Sequence, residues 1–146
     1  MNTKKNSVSV LQVNFDDKKL INKIFEIRNQ VFVVEQNVDP SEEYEFEESS
    51  IHFLLFEDKT PCATARYRKT EKGIKLERFA VLKQYRKKGY GNKILKRILE
   101  ELKDSEDVIY LHAQVQVVDF YKKQGFIKNG GIFSEAGIQH YKMIYN

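Results

Sequence analysis

The chain has 146 residues, 41% hydrophobic and 32% charged, which points to one domain with one sizeable core and excludes a disordered chain. A net charge of +4 is mild and suits an anionic small ligand at least as well as a polyanion. The single cysteine, Cys62, excludes an intrachain disulfide and a cysteine-rich metal site, and no stretch approaches the ~20 apolar residues of a membrane span.

In chain order, "MNTKKNSVSVLQVNFDDKK" starts basic, but its apolar run is short and broken by Ser, Gln and Asn, unlike a signal peptide; the expected location is the cytoplasm. Within it "SVSVLQVNF" alternates and predicts a first strand. Asp16 and Asp17 can cap a helix, and Leu20, Ile21, Ile24, Phe25, Val31 and Phe32 fall on one stripe of "KKLINKIFEIRNQVFVVEQ". "NVDPSEEYEFEESS" is the most acidic window and predicts a loop or a short helix. "IHFLLFED" and "TPCATARYRKT" predict strands joined around Asp58-Lys59, and a turn at Glu71-Lys72-Gly73 leads into "IKLERFAVL". "YRKKGYGNKILKRILEEL" opens on glycines and basic residues and continues as a helix with Ile94, Leu95, Ile98, Leu99 and Leu102 on one face. "DVIYLHAQV" predicts a fifth strand, and "QVVDFYKKQ" a short helix ended by Gly125. "FIKNGGIFSEAGIQHYKMIYN" holds two final strands around a Ser134–Gly137 turn. A strand meander between helices predicts a mixed α/β fold and disfavours a doubly wound Rossmann sheet.

Gly89 and Gly91 lack a Cβ, so the backbone can curve and approach a ligand at a helix start. The first amides of a helix have no intrahelical acceptor, and with the helix dipole they attract anions. Arg86, Lys87 and Lys88 add charge beside them, which describes a pyrophosphate cradle. Neither the P-loop pattern nor the dinucleotide fingerprint is present. On spacing alone, a basic solvated helix face behind a glycine turn is an equal reading.

The string "LERFAVLKQYRKKGYGNKIL" resembles the acetyl-CoA-binding motif of the GNAT superfamily of N-acetyltransferases, and "FYKKQGF" (Phe120–Phe126) is similar to a second motif of that family, in the expected order. "VFVVEQ", "LHAQ" and "GIQHYKM" resemble a branch of small single-domain members. The resemblance implies a single N-acetyltransferase domain over residues 1–146. Its fold would be α/β, with a mixed, mostly antiparallel central sheet of about six to seven strands, helices on both faces, and splayed central strands forming an acyl-CoA cleft. It further implies that amides of Arg86, Lys87, Lys88, Gly89, Tyr90, Gly91 and Asn92 hold the CoA pyrophosphate. Phe79, Ala80 and Val81 would run beside the pantetheine, with Gln114 and Phe120 also on the cofactor. Tyr121 would protonate the leaving thiolate. Many family members carry Asn where this chain has Gln114.

Candidates for the remaining roles come from the resemblance for Glu77, since some family members carry a base on this strand, and for Glu35, and from residue type for the histidines. Glu77 is either a base or the ion-pair partner of Arg68 or Arg66, and Arg78 in the same strand needs a partner of its own. Glu35 is either a ligand for a substrate ammonium or a helix-end charge. His140 is a candidate proton acceptor and His112 a candidate substrate contact, whereas His52 reads as structural. Three scattered histidines and one cysteine lack zinc-ligand spacing, so no metal is expected.

The expected activity is transfer of an acetyl group from acetyl-CoA to a primary amine of a small molecule or peptide, by direct attack and without a covalent enzyme intermediate. The expected state is a monomer or homodimer with no nucleic-acid or membrane partner. A CoA-binding regulator without catalysis remains open, as does a nucleic-acid module built on the six basic residues from Arg86 to Arg97. The acidic window Glu42–Glu48 would attract a cationic amine if it bordered the site.

Overall fold

The computed structural model describes residues 7–146; the basic start of the N-terminal reading lies outside them. The chain divides into two compact units, one of residues 7–66 with Arg78–Asp104, the other of Tyr67–Glu77 with Ser105–Asn146.

The first unit begins with β1 (Val8–Val13), α1 (Lys18–Arg28), a π-helical segment (Asn29–Glu35) and α2 (Pro40–Glu43). It continues through β2 (Ile51–Glu57), most of β3 (Thr60–Thr70) and the end of β4 (Gly73–Val81), then a 3₁₀ turn (Lys83–Tyr85) and α3 (Tyr90–Glu101). Its strands are hydrogen-bonded in the order β1-β2-β3-β4. β1 lies antiparallel to β2, from Val8↔Glu57 to Val13↔His52. The two-residue connection between β2 and β3 enforces an antiparallel pair, and Asp58 takes the left-handed φ of +55° that such a turn needs. Val13, Ile21, Ile24, Ile27, Val31, Leu54 and Ala80 form the buried cluster. On α3 the expected stripe is buried at Ile94, Leu95, Ile98 and Leu102, and the helix packs on β1 and β2.

The second unit contains the end of β3, the start of β4, β5 (Ile109–Gln114), a 3₁₀ turn (Val115–Val117), α4 (Val118–Lys123), β6 (Phe126–Lys128), β7 (Phe133–Glu135) and β8 (Ile138–Tyr145). β4 and β5 are parallel, with Ile74↔Ile109, Lys75↔Tyr110 and Leu76↔Leu111 in register. β5 is antiparallel to β8, and both β6 and β7 pair with β8. The mixed, mostly antiparallel sheet is thus as expected, and among the described residues it has eight strands rather than about six to seven. The C-terminal run supplies three strands instead of two because Asn129-Gly130-Gly131, with Gly130 at φ +95°, separates β6 from β7, and both pair with β8.

The first predicted helix also differs. Its α-helical part stops at Arg28, and the chain then widens into the π-helical segment before Val38 N–H closes on the Phe32 carbonyl. The buried stripe of α1 therefore runs through Ile27 and Arg28 as well as the expected Ile21 and Ile24, with Leu20 and Phe25 partly buried beside it.

Arg28 and Arg66 are each only 1% exposed. A guanidinium cannot lose its charge to suit a buried site, so it needs counter-charges. Arg28 Nε donates to Glu43 Oε1 at 2.6 Å, and its two terminal nitrogens donate to Glu47 at 2.7 and 2.8 Å. Arg66 donates to the same Glu47 Oε1 at 2.6 Å and to the Glu45 carbonyl at 2.7 Å. Arg78 reaches Glu43 at 3.3 Å and Glu45 at 3.6 Å. Burial pushes the Glu47 carboxyl up, but the Arg28 hydrogen bond and the Arg28 and Arg66 charges outweigh it and hold it below its ordinary value. His52 is also buried here, with Nε2 donating to the Glu47 carbonyl at 2.8 Å, and burial pushes its imidazole down. The acidic window is the internal counter-charge of three arginines, with Glu43 and Glu47 committed to them.

Removing one partner of such a cluster leaves a buried charge uncompensated. Arg28→Ala is expected to destabilise the protein by about 3–5 kcal/mol in urea unfolding. A loss under about 1 kcal/mol would show that the cluster stays hydrated.

Candidate active site

The predicted site residues fall into two sets. In the first unit, β4 ends at Val81 and the loop beyond it leads to α3. Lys87 and Gly89 both adopt left-handed backbone conformations, with φ of +68° and +78°. Gly89 is the N-cap of α3, and no side chain caps the helix; the first backbone bond is Lys93 N–H to the Gly89 carbonyl at 3.0 Å. A Cβ added at Gly89 would meet nothing within 4 Å, so the glycine is required by its backbone angle and faces open space. The result is an uncapped helix N-terminus of the kind that binds anions. Asn92, in the first turn, has a buried Oδ1 without a hydrogen-bond partner among the described residues.

The loop's basic side chains are not simply solvated. Arg86 Nε donates to the Val81 carbonyl at 2.9 Å, and its Nη2 donates to Glu35 Oε1 at 2.9 Å. Lys88 Nζ donates to Glu57 at 3.1 Å, and the Tyr90 hydroxyl donates to the same carboxylate oxygen. That hydrogen bond, with burial behind it, pushes the Tyr90 phenol up to about 12. Tyr90 is thus a buried anchor for the helix start. Cys62 is buried close by, and burial pushes its thiol up. Glu35, at the end of the π-helical segment, also lines a cleft of about 590 Å³ with Glu26, Gln30, Leu82, Lys83 and Gln84.

Along β4, Ala80 is buried in the core cluster, while Phe79 and Val81 are half-buried. Arg78, just before them, has a φ of +59°. A left-handed residue inside a strand makes a bulge, so strict alternation of faces along β4 is interrupted at Arg78.

In the second unit, Glu77 accepts from Arg68 Nε at 2.6 Å and lies 3.3 Å from Lys75 Nζ. This is the ion-pair reading of Glu77, with Arg68 as the partner. His112 and Gln114 lie two residues apart on β5, and Gln114 is in register with His140 on β8. His112 Nδ1 lies 2.9 Å from Glu135 Oε2, and its ring packs edge-on to Phe133 with centroids 4.9 Å apart. The other face partner of Phe133 is His140, stacked at 5.8 Å, whose Nδ1 donates to the Ile138 carbonyl at 2.7 Å. The His112 hydrogen bond holds the Glu135 carboxyl down at about 2, against burial and with help from Lys75 and His140. On α4, Tyr121 is buried between Phe120 and Phe126, at 5.0 and 5.8 Å between centroids, and burial raises its phenol above its ordinary value. Gly125 follows at φ +101°, the left-handed helix stop expected there.

A family model of the acetyltransferase (GNAT) domain matches residues 13–146. The chain belongs to the GNAT acetyltransferase family. Among GNAT relatives, the N-acetyltransferase YjcF of Bacillus subtilis is 38% identical over 123 residues, which is 82% of this chain and 88% of that protein. An acyl-CoA N-acyltransferase from Pseudomonas aeruginosa has the same fold, with a TM-score of 0.86 over 96% of this chain and 100% of that one, at 22% identity. The PaiA N-acetyltransferase of Thermoplasma acidophilum, solved with coenzyme A, has a TM-score of 0.66 over 95% of this chain and 98% of that one, at 14% identity. As a GNAT protein the chain is an acyltransferase. Among the described residues no group of three or more His, Cys, Asp or Glu could hold a metal ion, and no helix is long and apolar enough to cross a membrane.

Sequence reasoning missed Glu135, Glu57 and Arg28. Glu135 sits in a hairpin and Glu57 at a strand end, where carboxylates are unremarkable. Arg28 did leave a signal, a charge four residues after Ile24 on the apolar stripe.

The depressed Glu135 carboxyl fixes the sign of a pH effect. Its contribution to stability is complete above the ordinary 4.5 and is lost as pH falls toward about 2. Urea midpoints measured across that window should fall more steeply for the parent protein than for Glu135→Gln. Equal slopes would mean that the His112–Glu135 pair does not persist in solution.

Proposed function

We propose that this protein is a single-domain N-acetyltransferase over residues 1–146. It moves an acetyl group from acetyl-CoA to a primary amine of a small molecule or peptide by direct attack. The observation that carries the reading is the uncapped α3 N-terminus with Gly89 left-handed in open space. Amides from Arg86 to Asn92 receive the pyrophosphate there. Arg86, held by Val81 and Glu35, and Lys88, held by Glu57, frame that loop rather than offering a solvated basic stripe to nucleic acid. Phe79, Ala80 and Val81 take the pantetheine side, and Gln114 and Phe120 the family's remaining cofactor contacts.

The reaction sets the other roles. An alkylammonium, with a pKa near ~10, must lose a proton before its nitrogen can attack. The thioester carbonyl becomes an oxyanion, which fixed N–H donors stabilise. The leaving thiolate takes a proton, and Tyr121, kept protonated by burial, is the donor.

Acetyl-CoA at about 100-fold above its Kd is expected to add ~2.7 kcal/mol of stability, seen as a rise in Tm. Gly89→Glu should abolish that rise, because the new side chain strains a left-handed residue and sets a negative charge at the anion site. No rise with millimolar acetyl-CoA and no calorimetric heat would end the proposal. Tyr121→Phe should keep acetyl-CoA binding and lower turnover about 10²-fold in an assay of released thiol; an unchanged rate across pH would remove it as the acid.

A further inference from the structure

We propose that His112 is the general base of this acyl transfer, with Glu135 as its positioning residue; the inference rests on the acyltransferase reading above. An ionised Glu135 can only accept, so the 2.9 Å contact requires His112 Nδ1 to carry the hydrogen. A neutral imidazole then has its lone pair on Nε2. Among the described residues no partner occupies Nε2, and the His112 side chain is 26% exposed. Phe133, edge-on at 4.9 Å, and Tyr110, tilted at 6.0 Å, hold the ring in place. The arrangement has the logic of a carboxylate-oriented histidine base: an acceptor fixes one nitrogen and leaves the other for the proton.

The two other candidate bases in this unit are worse placed. Glu77 is 8% exposed, with Oε1 on Arg68 and Oε2 on Lys75, so a proton would have to displace two cations. His140 is 9% exposed, its Nδ1 is used on its own strand, and its ring is stacked against Phe133. His112 alone combines an orienting carboxylate with an accessible second nitrogen. It also lies two residues from Gln114, on the same side of β5 as the residue that matches the family's cofactor position.

The proton balance closes with these groups. His112 Nε2 takes one proton from the acceptor ammonium, and the imidazolium is paired with Glu135. The amine lone pair forms the C–N bond to the acetyl carbon, the C–S bond breaks, and its electrons leave on sulfur. Tyr121 gives the thiolate its proton and is restored by the second proton shed from nitrogen. His112 returns its proton to solvent, so each turnover yields amide, thiol and one proton. The charged and titratable groups around His112 are Lys75 and Glu77 on β4, Arg68 on β3, Tyr110 on β5, Glu135 on β7, and His140 and Lys142 on β8.

The test uses the full-length chain. Long-range ¹H–¹⁵N NMR of the histidine rings should show His112 protonated at Nδ1 and bare at Nε2 when neutral; the opposite tautomer overturns the proposal without reference to activity. With acetyl-CoA and a panel of ethanolamine, spermidine, benzylamine and glycinamide, His112→Gln should lower kcat/KM about 10²-fold or more and remove the acid limb of its pH profile. Glu135→Gln should lower kcat with KM little changed and disturb the His112 tautomer signal, and Glu135→Asp should recover part of the loss. Calorimetry separates the two readings. If acetyl-CoA binds, an amine is acetylated and His112→Gln matches the parent, the base assignment falls and acyl transfer stands. If acetyl-CoA does not bind and no amine is acetylated, acyl transfer falls and takes the base with it.

Discussion

Two guanidinium groups are sealed inside the first unit, and the local chain path follows from neutralising them. Arg28 sits where α1 gives way to the π-helical segment, and Arg66 lies on β3. Neither can deprotonate, and the desolvation cost of each exceeds what one distant carboxylate returns. The segment from Glu43 to Glu47 therefore has to fold inward, with one carboxylate shared by Arg28 and Arg66 and another shared by Arg28 and Arg78. Arg78 links this cluster to the left-handed residue of β4, so the bulge just before Phe79-Ala80-Val81 has an electrostatic tie. A window that reads in sequence as an acidic surface, available to a cationic substrate, is in its Glu43 and Glu47 an internal ionic joint.

What was legible in the sequence was what the local chain encodes. Gly89 and Gly125 stand where the backbone is left-handed, and each marks a helix end by its own conformational freedom. The α3 stripe needed only 3.6-residue periodicity, and the two-residue turns needed only their own residues. Long-range pairs were not legible. Arg28 meets Glu47 across 19 positions, His112 meets Glu135 across 23, and Tyr90 meets Glu57 across 33. No spacing rule connects such residues, because the sheet register and the hairpins decide which of many carboxylates arrives. The same limit explains the strand count: "FIKNGGIF" carries its break visibly, but that both pieces pair with one long β8 is a property of the assembled edge.

The histidines illustrate how environment divides one residue type into separate roles. His52 is fully buried beside two arginines, where a third positive charge would be repelled, and burial holds it toward the neutral form. His140 spends its Nδ1 on a carbonyl two residues away and lies flat against Phe133. Only His112 faces a carboxylate while remaining partly open to solvent. Sequence alone made His140 the candidate proton acceptor and His112 a candidate substrate contact, because both lie on strands and neither shows its partner.

Charge on that face of the second unit divides unevenly between its two carboxylates, Glu77 and Glu135. Arg68 and Lys75 offset Glu77 and Glu135, so the four charges sum to zero before catalysis. Lys75 sits nearer Glu77, at 3.3 Å, than Glu135, at 3.9 Å, and Arg68 adds a 2.6 Å contact to Glu77. Glu77 is thereby saturated with cationic partners, while Glu135 keeps an oxygen directed at the imidazole. A carboxylate at hydrogen-bond distance fixes which imidazole nitrogen bears the hydrogen, and a partly exposed carboxylate does this without the desolvation cost of a buried pair. A substitution at Lys75 would strengthen the claim of His112 on Glu135 and loosen Glu77 at once, so the two carboxylates cannot be tuned independently through that lysine.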